Sequence, residues 1–303
     1  MSYEFIPVGE CEMCGSRHHK VLGLRMNRSQ GRHPRRVSGV GVTLKKCLQC
    51  ELIFADPRPK PTEISEHYGV PPESYWTRPG HWDTPPEYFA REIAEAKRLL
   101  RFTPGMTALD IGAGLGKAMV AMQRAGFDVH GIEPSEPFRR HTIANAGIAP
   151  ERLQLAGIED AQYAPASFDF ITFGAVLEHL QEPGRAIEKV MHWLKPGGVV
   201  QAEVPSSRHL VAKLINAFYA LNGLNYVTNL SPMHSPYHLY EFSIESFRQH
   251  ARRFDYEVVE HRHEVCSIYN VPRVLHPLLR SYMARTGTGM QLTVWLQRRR
   301  DKT

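Results

Sequence analysis

The sequence contains no run of about 18 apolar residues, the length a membrane-crossing helix needs. No transmembrane segment is expected, and hydropathy points to no membrane partner. The start, Met1-Ser-Tyr-Glu-Phe5, lacks the basic-then-apolar pattern of a secretory leader, so the expected location is cytoplasmic. Cysteine is sparse, at five residues in 303. Without a secretory pattern, nothing supports the oxidising compartment that structural disulfides need. Acidic residues fall slightly short of basic ones, 31 against 37, for a net charge of +6. Part of the excess sits in Arg25–Arg36 and Arg298–Lys302, as in solvated loops and ends. The basic residues are not interleaved with aromatics as a base-stacking platform requires, so nucleic acid is not the expected partner.

What is present is organised around Asp110-Ile-Gly-Ala-Gly-Leu-Gly116. Met106–Ile111 reads as a short buried strand and Lys117–Arg124 as a helix, which makes a Rossmann-type strand, glycine turn and helix. The glycines let the backbone turn sharply and approach a ligand, and the helix start offers free N–H groups and a positive dipole end. The dinucleotide pattern is G-x-G-x-x-G. Here Gly116 arrives one residue early after Gly112 and Gly114. No lysine-serine or lysine-threonine pair follows the turn, which excludes a P-loop. Glu133 ends the next strand, Asp128–Ile132, where a carboxylate can accept both hydroxyls of an adenosine ribose.

Four of the five cysteines form two C-x-x-C pairs, Cys11/Cys14 and Cys47/Cys50. A close pair puts two thiolates on one tight turn, and two facing turns make a tetrahedral zinc site. With all four positions filled by thiolate, no coordination site stays open, so the zinc is expected to be structural. The long interval between the pairs, with Gly31, Arg32, Arg35, Arg36, Gly39 and Gly41, suits a mobile excursion. Cys266 is left with no special role.

From residue 100 to 205 the chain resembles the class I S-adenosylmethionine-dependent methyltransferases. The resemblance rests on Asp110–Gly116, Gly131-Ile-Glu-Pro-Ser135, Ser167-Phe-Asp-Phe-Ile171, Val176-Leu-Glu-His-Leu180 and Leu194-Lys-Pro-Gly-Gly198, in order and at family spacing. It implies an α/β fold, a Rossmann-like seven-stranded methyltransferase sheet with a small N-terminal zinc-binding domain. Strands are expected at 107–111, 128–132, 152–155, 168–173 and 199–204, with helices at 116–125, 135–146 and 183–194. An amphipathic helix, Tyr88–Arg101, precedes them. The sixth strand is expected at Tyr256–His261. The seventh, Leu292–Gln297, is antiparallel and inserted beside it. By resemblance Asp110 and Gly112, Gly114 and Gly116 border the cofactor's methionine part. Glu133 holds the ribose, Ile158 packs on the adenine, Glu159 stands in for the usual acid of that loop, and Gly174 lets the backbone pass the sulfonium.

Cysteine pairs followed by Phe54-x-x-Pro-x-Pro59, tyrosines and Tyr75-Trp76 resemble bacterial methyltransferases of sugar, surface-glycan and secondary-metabolite biosynthesis. In that group a tyrosine-rich segment folds over the active site, which makes Tyr75 a candidate substrate contact. The division implied is 1–76, zinc ribbon and covering segment, and 77–303, methyltransferase domain, with an insertion at about 206–240. The insertion's apolar residues read as a cap on the site, a homodimer contact or simple packing. His238, in the Ser231–Ser243 loop, matches the histidine proposed as general base in sugar C-methyltransferases, with Tyr240 or Glu241 nearby to orient it. His179 is the second candidate base and His234 the third. Some relatives carry E-x-x-E-H at 175–179 and bind a metal. Ala175 replaces the first acid here, so no catalytic metal is expected. The functional expectation is O- or C-methylation of a small molecule, a sugar, glycan or secondary metabolite, with S-adenosylmethionine as cofactor. The rivals are an RNA methyltransferase using the ribbon to bind substrate, and a non-catalytic interaction protein retaining the fold.

Overall fold

The computed structural model describes residues 3–28, 39–62, 69, 71–75, 83–228, 230–234, 238–266, 268 and 271–299. Strand β1 (Tyr3–Ile6) leads past the first cysteine pair into β2 (His19–Met26), which returns as β3 (Gly41–Cys47) to deliver the second pair. β4 (Ile53–Asp56) and β5 (Arg58–Pro61) follow. β2, β3 and β4 are antiparallel neighbours, and β5 pairs with β1. The described parts of the interval between the cysteine pairs are thus the two arms of a hairpin. Val42 and Leu44, two residues apart, bury one face of β3. The matching pattern in β2 is hidden by a register shift between Val21 and Gly23 and by a buried arginine, Arg25. Gly31, Arg32, Arg35 and Arg36 lie outside the described residues, as do His67, Tyr68 and Trp76. The short helix α1 (Pro72–Tyr75) follows, and the side chain of its Tyr75 also lies outside what is described.

Helix α2 (Ala90–Leu100) buries Ile93 and Ala96. It starts later than its periodicity suggests, because Phe89 adopts a left-handed φ of 60° and turns Tyr88 and itself off the helix. Then β6 (Thr107–Ile111), α3 (Lys117–Arg124), β7 (Asp128–Glu133), α4 (Glu136–Asn145), β8 (Leu153–Leu155), β9 (Phe168–Gly174), α5 (Pro183–Trp193) and β10 (Leu194–Pro205) alternate. After the inserted helix α6 (Leu210–Leu221) come the short β11 (Tyr240–Glu241) and α7 (Ile244–Ala251). Ser243 caps α7, and Ser246 closes the capping box. β12 (Tyr256–Glu264), α8 (His276–Thr286) and β13 (Gln291–Arg298) complete the described chain.

Among the described residues, the large sheet has seven strands in the order β12-β13-β10-β9-β6-β7-β8. β10, β9, β6, β7 and β8 run parallel, and β13 lies antiparallel between β10 and β12, as the resemblance implied. Both faces are covered, which is why the parallel strands are almost continuously apolar. On one face Ile171 and Phe173 of β9 pack with Ile187, Val190 and Phe247. On the other, Phe170 packs with Met119, Met122, Ile93 and Trp295. The second sheet, β11-β4-β3-β2, takes its edge strand from beyond the insertion, so Tyr240–Glu241 ties the N-terminal region to the large sheet.

Candidate active-site crevice and cysteine cluster

The chain runs from β6 through β7 to β8 in one direction, then returns to the other side of β6 as β9. Where the order reverses, the loops leaving β6 and β9 part, and an open α/β sheet places its ligand crevice there. A crevice of about 1000 Å³ lies across the carboxyl ends of β6, β7, β9 and β10, lined by Asp110, Gly112, Gly114, Glu133, Gly174 and Glu203 among others. Of the expected cofactor residues, Ile158 and Glu159 also line it. Gly116 does not. It takes a φ of 72° at the start of α3, where a Cβ would stand 2.5 Å from Thr142 Cγ2. Its role is to let α3 start against α4.

Gly114 shapes the floor directly. A Cβ there would meet only Gly112 O at 3.9 Å, so the crevice is open where a side chain would fill it. Its N–H donates to Glu133 Oε2 at 2.7 Å, and Ser135 N–H donates to Glu133 Oε1 at 2.9 Å. Each carboxylate oxygen keeps a second lone pair for an outside donor. Glu133 thus braces the glycine turn while facing the crevice.

The crevice is lined by buried carboxyls, Asp110 and Glu133 among them. Burial, then Glu133 nearby, pushes the Asp110 carboxyl up to about 8. Burial, then Glu92 and Glu264, raises Glu203 to about 7. A ligand carrying positive charge would relieve both. S-adenosylmethionine, with a sulfonium and an ammonium group, fits that demand. The open space at Gly114, the apolar Ile158 and the two accepting oxygens of Glu133 fit its nucleoside.

These raised carboxyls set a pH dependence. The folded chain holds protons on Asp110, on Glu203 and on the buried Glu178, itself raised to about 8 by burial, that an unfolded chain has released above pH about 4. The stability they contribute is complete below that pH and lost as pH rises through about 7 to 8. The buried histidines His209 and His238, lowered to about 4 and about 2 by burial, act in the opposite sense. Their contribution is complete above pH about 6.5. Thermal melting of the ligand-free protein from about pH 7 to about pH 8.5 is expected to show a falling midpoint, shallower in Asp110→Asn. A flat or rising profile would contradict this assignment.

The histidines divide. His179 lines the crevice, just after Gly174 and Val176, which also line it. His238 stands behind it, ring against ring edge-to-face with centroids 4.5 Å apart, and His234 lies beyond at 5.6 Å. The orienting partner of His238 is Ser231, whose hydroxyl meets Nδ1. Neither Tyr240 nor Glu241 serves, as the sequence suggested: the Tyr240 hydroxyl donates to Gln181 O at 2.9 Å, and Glu241 Oε1 accepts from Ser231 N–H at 2.6 Å. Leu239 N–H donates to Glu178 O at 2.6 Å, which pins this loop against the His179 turn. Glu178, His179 and His238 bring potential ligand atoms within 4.8 Å of one another, a grouping that residue spacing conceals.

Three parts of the wall lie outside the residues expected from the sequence. Tyr88 and Phe89 line the crevice from the turn before α2, Pro59–Pro61 from β5, and Glu203 from β10. For Glu203 a signal existed: one acid inside the apolar run Val199–Val204. Tyr88 lost its signal by fitting the helical periodicity.

The four cysteines converge. All four sulfurs lie within 4.8 Å of one another, with Cys11 and Cys50 Sγ 3.4 Å apart and Cys14 and Cys47 Sγ 3.5 Å apart. Those separations exceed a disulfide's and approach the roughly 3.8 Å edge of a zinc–thiolate tetrahedron. Hydrogen bonds among the four sulfurs draw Cys14 and Cys47 below the usual thiol range, while Cys11 and Cys50 are pushed above it, so the four act as one coupled cluster. The donor set therefore suits zinc.

A family model described as a methyltransferase domain matches residues 85–261, more than half of the chain. The chain belongs to the methyltransferase-domain family. The methyltransferase domain is 33% identical over 132 residues to a ubiquinone biosynthesis O-methyltransferase of Ralstonia nicotianae, covering 42% of this chain and 53% of that protein. It is 32% identical over 132 residues to the Pseudomonas aeruginosa protein of the same name, covering 42% and 54%. The chain thus spans about half the length of the curated relatives it matches. Similar solved structures include the YcgJ protein of Bacillus subtilis, with TM-score 0.49, 15% identity, 71% of this chain and 98% of that one. Another is an S-adenosylmethionine-dependent methyltransferase of Mesorhizobium loti, with TM-score 0.49, 14% identity, 72% and 100%.

Proposed function

We propose that this methyltransferase domain uses S-adenosylmethionine to methylate a hydroxyl of a small molecule, with His179 as the general base. The observation that carries the reading is the crevice itself, with cation-seeking carboxyls, a braced ribose acceptor and a histidine at one mouth. The name O-methyltransferase on relatives supports oxygen over carbon as the acceptor atom. Hydroxyls of sugars, glycans and secondary metabolites, the class suggested by the N-terminal resemblance, are the first acceptors to screen.

When bound, S-adenosylmethionine supplies an electrophilic methyl group and a neutral thioether leaving group. The protein's residues do the rest. Glu133 holds the nucleoside, and the backbone at Gly112 and Gly114 lets it lie close. Tyr88, Phe89 and Leu239 narrow the crevice and keep out water that would compete as acceptor. A ring nitrogen of His179 accepts the proton from the acceptor's hydroxyl oxygen, because a protonated alcohol is a poor nucleophile. His238, kept neutral by burial, packs behind and fixes the ring. The four cysteines hold a structural zinc.

The test is turnover against affinity. His179→Ala is expected to lose about 10²- to 10³-fold in kcat with S-adenosylhomocysteine affinity unchanged. His238→Ala is expected to lose less, about tenfold, through misorientation. Full turnover in His179→Ala would remove it from the chemistry. A larger loss in His238→Ala than in His179→Ala would make His238 the base.

A further inference from the structure

Helix α6 leaves the large sheet shortly after Glu203, at the same end as the crevice, and it is poorly covered. Val211 and Ala212 are its buried residues. Leu214, Phe218 and Leu221, at helical spacing i, i+4, i+7, are 58%, 62% and 88% exposed. α8 repeats the arrangement: Leu278 and Tyr282 are 71% and 54% exposed, and Val274 in the turn before it is 83% exposed. The two helices share one small apolar cluster, with Val211 and Ile215 of α6 against Leu279 and Met283 of α8. Their uncovered faces therefore flank a common seam. Isolated exposed apolar side chains need no explanation, but two adjoining helices that each present a row of them do.

Charge identifies the occupant. The sequence has no Asp or Glu from Val204 to Tyr240, nor from Val265 to Arg300. Lys213, Arg273, Arg280 and Arg285 are exposed on or beside these helices. Lys213 stands near Lys46 and Arg208 as well as Glu51, and its pKa is lowered by burial and then by Lys46. A second copy of this chain is a poor fit. A two-fold contact places the same patch on both sides, so these cations would meet one another with no acid in either segment to pair them. A surface that is apolar in the middle and cationic at its edges, with no acid contributed by either segment and with Glu51 and Glu241 as the acids near Lys213, matches an anionic bilayer interface. There the leucines and phenylalanine enter the headgroup–acyl boundary and the basic residues meet lipid phosphates.

We infer that α6 and α8 together dock the protein peripherally on anionic lipid, with the crevice end of the sheet toward the membrane. No helix among the described residues is long and apolar enough to cross a membrane. The expectation of no membrane partner rested on that property alone, and surface attachment does not require it. This inference is independent of the proposed chemistry, since lipid binding is read without turnover.

The experiment is flotation of the full chain with phosphatidylglycerol–phosphatidylcholine vesicles and with phosphatidylcholine alone. The protein is expected to float with the anionic vesicles, and to be released by high salt and by pure phosphatidylcholine. Leu214→Ser/Phe218→Ser/Leu278→Ser is expected to bind at least about tenfold more weakly, with an unchanged melting temperature, since these side chains are already exposed. Lys213→Glu/Arg273→Glu/Arg285→Glu is expected to lose the preference for anionic lipid. Failure of the wild type to float, equal binding by the serine variant, or a dimer in sedimentation with no vesicle binding would overturn the inference.

Discussion

Glu133→Ala is expected to weaken S-adenosylhomocysteine binding by at least about a hundredfold. Charge-assisted hydrogen bonds contribute about 1.5–3 kcal/mol each, and two ribose hydroxyls would lose their acceptor. The same carboxylate takes the N–H groups of Gly114 and Ser135 at 2.7 and 2.9 Å, so its removal leaves two backbone donors unpaired and loosens the turn on which the ligand lies. Glu133→Gln keeps one acceptor oxygen and is expected to fall between, at about tenfold. Calorimetry reads both. Full affinity in Glu133→Ala would mean that the ligand lies elsewhere.

Loss of the proposed zinc is expected to have the second large effect. Cys11, Cys47 and Cys50 are buried in the same cluster as Ile187, Phe247 and Ala251 of the large sheet's cover, so the cysteine site is part of the main core and not an appended knuckle. Both Ser243 and Ser246 hydroxyls donate to Cys50 O, at 2.6 and 3.0 Å. Arg58 Nη1 donates to Glu12 Oε1 beside the first pair, to Gln181 O and to the Tyr240 hydroxyl, at 2.8, 2.6 and 2.5 Å. The residues after Arg58, Pro59–Pro61, form crevice wall. Structural zinc contributes on the order of 10 kcal/mol to small domains, comparable with the whole stability of a domain. Cys47→Ser, or chelation, is therefore expected to lower the melting temperature by more than about 10 °C. In any folded remainder KM for the acceptor should rise more than the cofactor affinity falls, because the wall from β5 is displaced while Glu133 is not. Metal analysis of reduced protein should find one zinc per chain. Absence of metal together with an unaltered Cys47→Ser melt would exclude the structural role.

The alternation from Thr107 to Pro205 was legible because parallel strands buried on both faces leave uninterrupted apolar runs, separated by helices of clear periodicity. The placement of Glu133, Gly114 and Ile158 on the crevice was legible because strand ends and glycine turns are marked locally in the sequence. What escaped depends on distance in the chain. Arg58 meets Gln181 and Tyr240, and Tyr240–Glu241 pairs with β4. No local pattern encodes such partners. His238 was visible as a histidine on a suitable loop, but its place behind His179 is set by Leu239 hydrogen bonding to Glu178, a contact between segments. Tyr88 was misread because one left-handed residue, Phe89, ends a periodicity that the residue types continue.

The central claim is that a sulfonium nucleoside lies across the tips of β6, β7 and β9. Isothermal titration of the wild-type chain with S-adenosylhomocysteine, with NAD as comparator, tests it most directly. One saturable site for S-adenosylhomocysteine, lost in Glu133→Ala, and no binding of the dinucleotide are expected. Absence of binding, or a site that takes NAD instead, would contradict that claim.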